Sequence, residues 1–218
     1  MRLHFKIVFS FFVLISISSC KGETQIPNKG KTVWVKVNEV TDSLPKPIDY
    51  FKLFKSHPDY ISDGFDFPVG IPNAKGYYNA QKFKENDHLG DDWNGLGGGN
   101  TDLGDPIHSI GNGYVSEVKD YNGGWGNVVQ IVHQHKNKLY KSLYAHCDTI
   151  MVSEGDYVKR GRQIATIGNC NGQYLAHLHL EIRDSISLDI GGGYSPITKG
   201  YLDPTQFIED NRTQKTNN

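Results

Sequence analysis

Short segments in which apolar and polar residues alternate dominate the middle and the C-terminal half of the chain. A period of two is typical of β-strands, because successive side chains of a strand point to opposite faces. The clearest example is His-Leu-His-Leu-Glu-Ile-Arg at residues 177–183. This pattern predicts a strand with one apolar, packed face and one polar face. The polar face carries His177, His179 and Glu181.

Similar segments recur between glycine-rich turns. The expected strands are residues 32–40, 65–69, 113–118, 127–133, 139–145, 150–152, 157–158 and 163–167, and a short helix is expected at residues 48–56. Glycines at the turn positions suit antiparallel hairpins, and the strand-rich region contains no helical repeat long enough to cover a parallel sheet. The pattern therefore predicts an all-β fold of antiparallel sheets with a short N-terminal extension.

Length and charge narrow the class of protein. The chain has 218 residues and a formal net charge of -1, which is enough for one medium-sized domain with an extension. Because there is no excess of basic residues, we expect no nucleic-acid partner.

The N-terminus has the features of a signal peptide. Arg2 and Lys6 precede an apolar run at residues 7–17, which is too short to span a bilayer comfortably. The following Ile17-Ser18-Ser19-Cys20 resembles the lipobox of bacterial lipoproteins, in which the cysteine is lipidated and begins the mature protein. The resemblance implies a membrane-anchored lipoprotein of the cell envelope, facing the periplasm or the outer surface. The alternative is an ordinary secretory signal.

These features divide the chain into five expected parts. They are a signal peptide at 1–19, a lipid-anchored linker at 20–31, an N-terminal extension at 32–63, the main domain at 64–210 and a polar tail at 211–218.

Two cysteines remain beyond the proposed lipid anchor. Cys147 and Cys170 each lie close in sequence to a histidine, in a compartment that permits disulfides. The sequence leaves two possibilities open, a disulfide between them or two buried free thiols, because it does not give the distance between their Cα atoms.

Three residues have the chemistry of a catalytic metal site. His88 and Asp92 flank Gly90, which we expect to let the chain turn tightly so that both side chains converge. Imidazole and carboxylate groups suit Zn²⁺, and His179 is the natural third ligand. A three-ligand zinc site keeps one position for water, whose pKa then falls to about 7.

Three ordered motifs resemble the lysostaphin-type (LytM-like) zinc metalloendopeptidases, which cut peptide cross-links in bacterial peptidoglycan. They are H-x-G-x-D at 88–92, Tyr-Ala-His at 144–146 and His-Leu-His at 177–179. Further likeness at 113–115, 126–133, 153–164 and 203–204 extends the resemblance over residues 65–208.

The resemblance implies a duplicated-hybrid-motif type of β fold, with zinc at the floor of a groove. The ligands it implies are His88, Asp92 and His179, and the catalytic pair beside the metal is His146 and His177. Attack on an amide needs a group that takes a proton and a donor that steadies the oxyanion. His177 lies on the same strand face as His179, where a base is expected, and His146 either donates to the oxyanion or shares the proton transfer. The sequence does not apportion these two tasks.

The expected function is zinc-dependent hydrolysis of peptide cross-links or stem peptides of peptidoglycan by residues 64–210, the metallopeptidase domain. Two alternatives stay open. One is a non-catalytic regulator of cell-wall amidases, and the other is a zinc peptidase that acts on a protein. Some relatives carry an upstream asparagine that occupies the open zinc position, and Asn73 and Asn79 are the candidates for such a residue here.

Other polar residues near these motifs are expected to be less important. Asp87 and Asp91 are expected to be solvated loop acids, and His133 is expected to end a strand. Glu181 either supports a histidine or faces solvent at the edge of the groove.

Overall fold

The computed structural model describes residues 47–213. Several predicted features lie outside the described residues. They are the signal peptide at 1–19, Cys20 and the linker at 20–31, the strand at 32–40 and residues 214–218 of the polar tail.

The described residues form ten β-strands and two short α-helices, and all the strand pairs are antiparallel. In chain order the elements are α1 (Tyr50–Ser56), β1 (Tyr77–Gln81), β2 (Asp91–Gly95), β3 (Pro106–His108), β4 (Gly113–Asp120), β5 (Asn127–His135), β6 (Lys138–Ile150), β7 (Tyr157–Val158), β8 (Gln163–Ile167), β9 (Leu178–Arg183), β10 (Tyr201–Leu202) and α2 (Pro204–Asp210). The predicted all-β antiparallel fold is confirmed. Neither helix has the length and apolar character needed to cross a membrane.

Strand β9 lies in the middle of the sheet. The strands pair in the order β1-β2-β9-β6-β5-β4-β7, while β10 pairs with β9, β8 with β6, and β3 with β8. Strand β9 therefore has β2 on one side and β6 on the other, and these three strands carry most of the predicted site residues.

The two faces of β9 differ as the sequence predicts. Leu178, Leu180 and Ile182 are fully buried and belong to the main apolar core, and each contributes roughly 1.5–3 kcal/mol by leaving water. The polar face is buried as well. Residues 184–193, which we call the strap, follow β9 directly and supply hydrogen-bond acceptors to its polar face.

Two predicted strands are wrong. Residues 65–69 form no ladder, because the backbone N–H groups of Phe65, Asp66 and Phe67 donate to carbonyls in three different segments. A ladder needs successive groups to pair with one neighbouring strand. The strand expected at 150–152 does not form either, because β6 continues to Ile150 and ends there.

Five elements were not expected from the sequence, namely β1, β2, β3, β10 and α2. Strand β1 is an edge strand of polar and aromatic residues with half-exposed and exposed positions in alternation, so it lacks an apolar stripe. Helix α2 begins where only a turn was expected, because the side chain of Asp203 caps it by accepting the N–H of Gln206 at 3.0 Å and Pro204 is the first helical residue. The short helix expected at 48–56 is confirmed as α1.

His133 lies inside β5 and does not end it. Its Nδ1–H donates to the carbonyl of Asn112 at 2.8 Å, and its Nε2 accepts from the hydroxyl of Ser142 at 2.7 Å. Burial lowers the pKa of His133 to about 4 and outweighs the opposing effect of the Asn112 bond. The imidazole is therefore neutral in the folded protein at neutral pH.

This burial predicts a loss of stability in acid. Because the pKa is about 6.5 in the unfolded chain and about 4 in the folded one, the stabilisation is complete above pH 6.5 and is lost as the pH falls toward 4. When the pH falls from 7 to 5, the free energy of unfolding should decrease by about 2 kcal/mol less in the His133→Gln variant than in the wild type. Urea titrations at both pH values measure this, and equal losses in the two proteins would contradict it.

Candidate functional site

Strand pairing brings Asp92 and His179 together. The two residues are direct partners across the β2–β9 ladder, and opposite residues of an antiparallel pair place their side chains on the same face. Asp92 Oδ1 lies 2.9 Å from His179 Nδ1. The Asp92 side chain remains partly open to the groove.

His88 completes a cluster of three donor atoms. Its Nε2 lies 3.0 Å from His179 Nδ1 and 3.3 Å from Asp92 Oδ1. The cluster has the dimensions of a metal site. A tetrahedral zinc site with bonds of about 2.0–2.1 Å separates its donor atoms by about 3.3 Å, so two imidazole nitrogens and one carboxylate oxygen at these spacings fit Zn²⁺.

Gly90 lies at a bend of the chain and is also required for space. A Cβ at this position would lie 2.4 Å from the carbonyl oxygen of Leu180 and 3.0 Å from Cε1 of His179. The chain bends at Leu89 and Gly90, as expected, although the backbone of Gly90 does not adopt a positive φ. The missing side chain lets the segment between His88 and Asp92 pack directly on β9.

The electrostatics of the cluster favour a charged pair. Burial alone opposes a charged Asp92, but hydrogen bonds to His179 and His88 outweigh it and hold the pKa of Asp92 well below its usual range. Burial also opposes a charged His179, yet its bonds to Asp92 and Glu181 raise its pKa to about 9. The carboxylate is thus ionised at any pH near neutrality.

Glu181 holds His179 from the side opposite the donor cluster. Its side chain is fully buried, and Oε1 accepts from His179 Nε2 at 3.3 Å. This bond holds a proton on Nε2, so Nδ1, which faces His88 and Asp92, is the nitrogen that would give up its proton to a metal ion. Carboxylates commonly orient metal-binding histidines in this way. Of the two expectations for Glu181, support of a histidine is the one that the structure shows.

Arg183 joins Glu181 to the strap. Its Nε donates to Glu181 Oε2 at 2.7 Å, and NH2 lies 2.5 Å from the same oxygen as an ion pair. The other N–H groups donate to the carbonyls of Leu188, Asp189 and Ile190 at 3.4, 2.8 and 2.8 Å. This buried charge therefore has one carboxylate and three carbonyl acceptors, as a buried arginine requires.

A backbone distortion brings His146 to the same face. In β6, Ala145 is the direct partner of His179, so regular alternation would point His146 into the core on the other face. His146 instead has a φ of +60°, and the register shifts just after it. Such strained residues are often found at functional sites. Burial, with smaller contributions from His179 and His177, lowers the pKa of His146 to about 3.

His177 comes immediately before β9 and lies beside His146. The centres of the two rings are 4.6 Å apart. The Nδ1–H of His177 donates to the carbonyl of Leu175 at 2.8 Å, and its Nε2 lies 3.9 Å from Asp92 Oδ2. All five residues predicted for the site therefore meet in one place, three as a donor cluster and two as a neighbouring pair.

Asp92, His146, His177 and His179 line a groove with a volume of about 490 Å³, and His88 is fully buried. The groove walls contain residues that were not singled out from the sequence, namely Gln81, Trp125, Tyr174, Gly192, Gly193 and Tyr194. The sequence could have indicated two of them, Trp125 and Tyr194, because each is an aromatic residue next to a glycine. Trp125 Nε1 donates to the carbonyl of Gly191 at 3.0 Å and joins two walls.

The expectations for Asn73, Asn79 and Asp91 are wrong. Asn73 accepts a hydrogen bond from Arg212, and Asn79 lies against Thr205, so neither reaches the donor cluster. Asp91 is not a solvated acid, because it is buried and accepts both the N–H and the hydroxyl of Thr205 at the start of α2.

The two cysteines are free thiols. Cys147 is buried in the core. Cys170 is half-buried, and its sulfur lies 3.3 Å from Nδ1 of His146.

Known proteins resemble this chain over the same region. The family described as "Peptidase family M23" matches residues 93–190. Lipoprotein NlpD of Yersinia enterocolitica is 42% identical over 80 residues, which cover 37% of this chain and 78% of that protein. Peptidoglycan DD-endopeptidase ShyB of Vibrio cholerae serotype O1 is 39% identical over 82 residues, which cover 38% of this chain and 18% of that protein.

A third relative is the murein hydrolase activator NlpD of Salmonella dublin, 40% identical over 80 residues, which cover 37% of this chain and 20% of that protein. The chain thus spans less than a third of the length of the last two relatives. Among solved structures, lysostaphin from Staphylococcus simulans superposes with a TM-score of 0.47 at 21% identity, covering 67% of this chain and 54% of that one.

The bond from His179 to Glu181 predicts that this acid strengthens metal binding. Replacing Glu181 with Gln removes the charge that fixes the proton on Nε2, so zinc affinity should fall about 10- to 100-fold. Competition with a chelating dye measures the affinity, and circular dichroism checks that the variant is folded. The exposed Glu209→Gln is the matched control. Equal zinc affinities in the two variants would show that Glu181 does not support the ligand.

Proposed function

The chain belongs to peptidase family M23, and we propose that it is a zinc-dependent endopeptidase that hydrolyses peptide bonds in the cross-links or stem peptides of bacterial peptidoglycan. The observation that carries the proposal is the arrangement at the groove floor, where three metal-type donors lie beside two further histidines. A binding protein without catalytic activity has no need of both groups.

His88, Asp92 and His179 are the residues that would hold the zinc ion. Their donor atoms lie 2.9–3.3 Å apart, and the cluster is open on the side of the groove. When bound, zinc supplies polarisation of the scissile carbonyl and makes water a better nucleophile at neutral pH.

His146 and His177 are proposed to be the catalytic pair. Hydrolysis forms a bond from a water oxygen to the carbonyl carbon and breaks the bond from that carbon to the amide nitrogen. The water gives up a proton and the leaving amine gains one, so a neighbouring base must accept and return a proton. Both rings line the groove, and the Nδ1 atoms of both have partners within the protein. Each ring therefore directs Nε2 toward the substrate.

The groove suits a peptide. Gly192 and Gly193 leave the wall near His88 without side chains, while Tyr174 and Tyr194 offer exposed aromatic surface with hydroxyl groups. Such walls can accept the small side chains and the polar backbone of an extended peptide.

The names of the relatives support peptidoglycan as the substrate and the cell envelope as the location. ShyB is named as a peptidoglycan endopeptidase, and NlpD is named as a lipoprotein. We propose that a lipid on Cys20 anchors this chain to a membrane, so that the metallopeptidase domain at 64–210 reaches nearby cell wall.

A second candidate function has a specific observation in its favour. A relative that is 40% identical is named as a murein hydrolase activator. The chain could therefore stimulate another wall hydrolase, such as an amidase. The cluster of His88, Asp92 and His179 favours catalysis, because an activator does not need a set of metal donors.

The proposed roles predict two kinds of loss. The full chain should contain about one zinc per molecule and release muropeptides from purified sacculi. His179→Ala should lose the zinc and the activity. His146→Ala and His177→Ala should keep the zinc and lose about 100-fold or more in rate. Metal analysis and mass spectrometry of the products measure both effects, with His57→Ala as a control. Full activity in the three site variants would reject the mechanism.

Activator function predicts a different result. With a wall amidase present, an activator should increase the release of amidase products, and His177→Ala should increase it equally. The endopeptidase proposal instead expects cleaved peptides without any amidase and none from His177→Ala. A purified protein substrate in a parallel digestion tests whether the activity is specific to peptidoglycan.

A further inference from the structure

The sulfur of Cys170 contacts the His146 ring at Nδ1. It lies 3.3 Å from His146 Nδ1 and 3.5 Å from the carbonyl oxygen of Gly124. Both distances are within the range of hydrogen bonds to sulfur. His146 lines the groove, and Nε2 is its ring nitrogen that does not contact the sulfur.

The local backbone is built around this contact. Cys170 has a φ of +51° and His146 a φ of +60°, a left-handed conformation that is costly for residues other than glycine. The sulfur also packs closely against Gly126, where a Cβ would lie 3.0 Å from it. A side chain at 126 would push the sulfur away from the imidazole.

The two contacts of the sulfur determine where its proton lies. A carbonyl oxygen can only accept a hydrogen bond, so in the contact with Gly124 at 3.5 Å the S–H is the donor. The thiol has one proton, and the sulfur can then only accept from His146. Burial, together with Asp120, raises the pKa of Cys170, which keeps the group a thiol.

We propose that Cys170 is a positioning residue that holds neutral His146 with its proton on Nδ1 and its lone pair on Nε2. The consequence of this position for catalysis rests on the proposed function. His146 is then the member of the pair that accepts the proton of the attacking water and returns it to the leaving amine. His177 is left to steady the developing oxyanion.

Nuclear magnetic resonance tests the tautomer without any need for activity. In the zinc-loaded full chain, long-range ¹H–¹⁵N correlation spectra distinguish a protonated ring nitrogen from an unprotonated one. His146→Gln identifies the signals of His146. We expect a protonated Nδ1 and an unprotonated Nε2. The opposite assignment in the wild-type protein overturns the proposal, and this measurement needs no variant of Cys170.

Variants of Cys170 test the consequence for turnover. Cys170→Ala should lower kcat on peptidoglycan by at least about tenfold while KM and zinc content stay within twofold, because only proton transfer is impaired. Cys170→Ser keeps a group that both donates and accepts, so it should restore most of kcat. Cys147→Ala is the matched control and should behave as the wild type.

The outcomes separate this inference from the proposed function. If the wild type does not cleave peptidoglycan but His146 is protonated on Nδ1, the peptidase proposal fails and the positioning role of Cys170 stands. If the wild type cleaves peptidoglycan and Cys170→Ala retains its kcat and the same tautomer, the inference fails. A loss of kcat that Cys170→Ser does not restore also contradicts it.

Discussion

The pairing of β9 with β2 on one side and β6 on the other is the constraint on which the site depends. Asp92 and Ala145 are the direct partners of His179 in the two ladders, so the register of the sheet sets the distances between groups from three distant segments. A shift of one residue in either ladder would turn a site residue to the opposite face. The apolar face of β9, buried in the core, fixes that register.

A line of buried charges links the site to its surroundings. His179 bonds to Glu181, Glu181 to Arg183, and Arg183 to three carbonyls of the strap. Isolated buried charges are costly, but here each has a partner. The last two residues of the strap, Gly192 and Gly193, form part of the groove wall. The same hydrogen-bond network therefore orients a metal donor and holds the wall beside which a peptide would lie.

Alternation in the sequence predicted β4 to β9, because it reports directly which face packs, but it did not predict the short strands β1, β2, β3 and β10. The motifs also indicated His88, Asp92, His146, His177 and His179, which the structure brings together. The bend at Gly90 was expected, but the need for space there was missed, since it depends on a neighbouring strand that the sequence does not reveal. Burial of Asp91 and the contact of Cys170 with His146 arise from tertiary packing, and no local pattern records them. Residues 65–69 looked like a strand because they are apolar, but their partners lie in three separate segments.

We propose that His88, Asp92 and His179 hold a zinc ion and that the two neighbouring histidines do not. A crystal structure of the zinc-loaded full chain, with diffraction data collected on both sides of the zinc absorption edge, tests it most directly. We expect one anomalous peak within about 2.0–2.2 Å of His88 Nε2, Asp92 Oδ1 and His179 Nδ1, with its open side toward the groove. A zinc ion coordinated by His146, His177 or the sulfur of Cys170 would contradict the account.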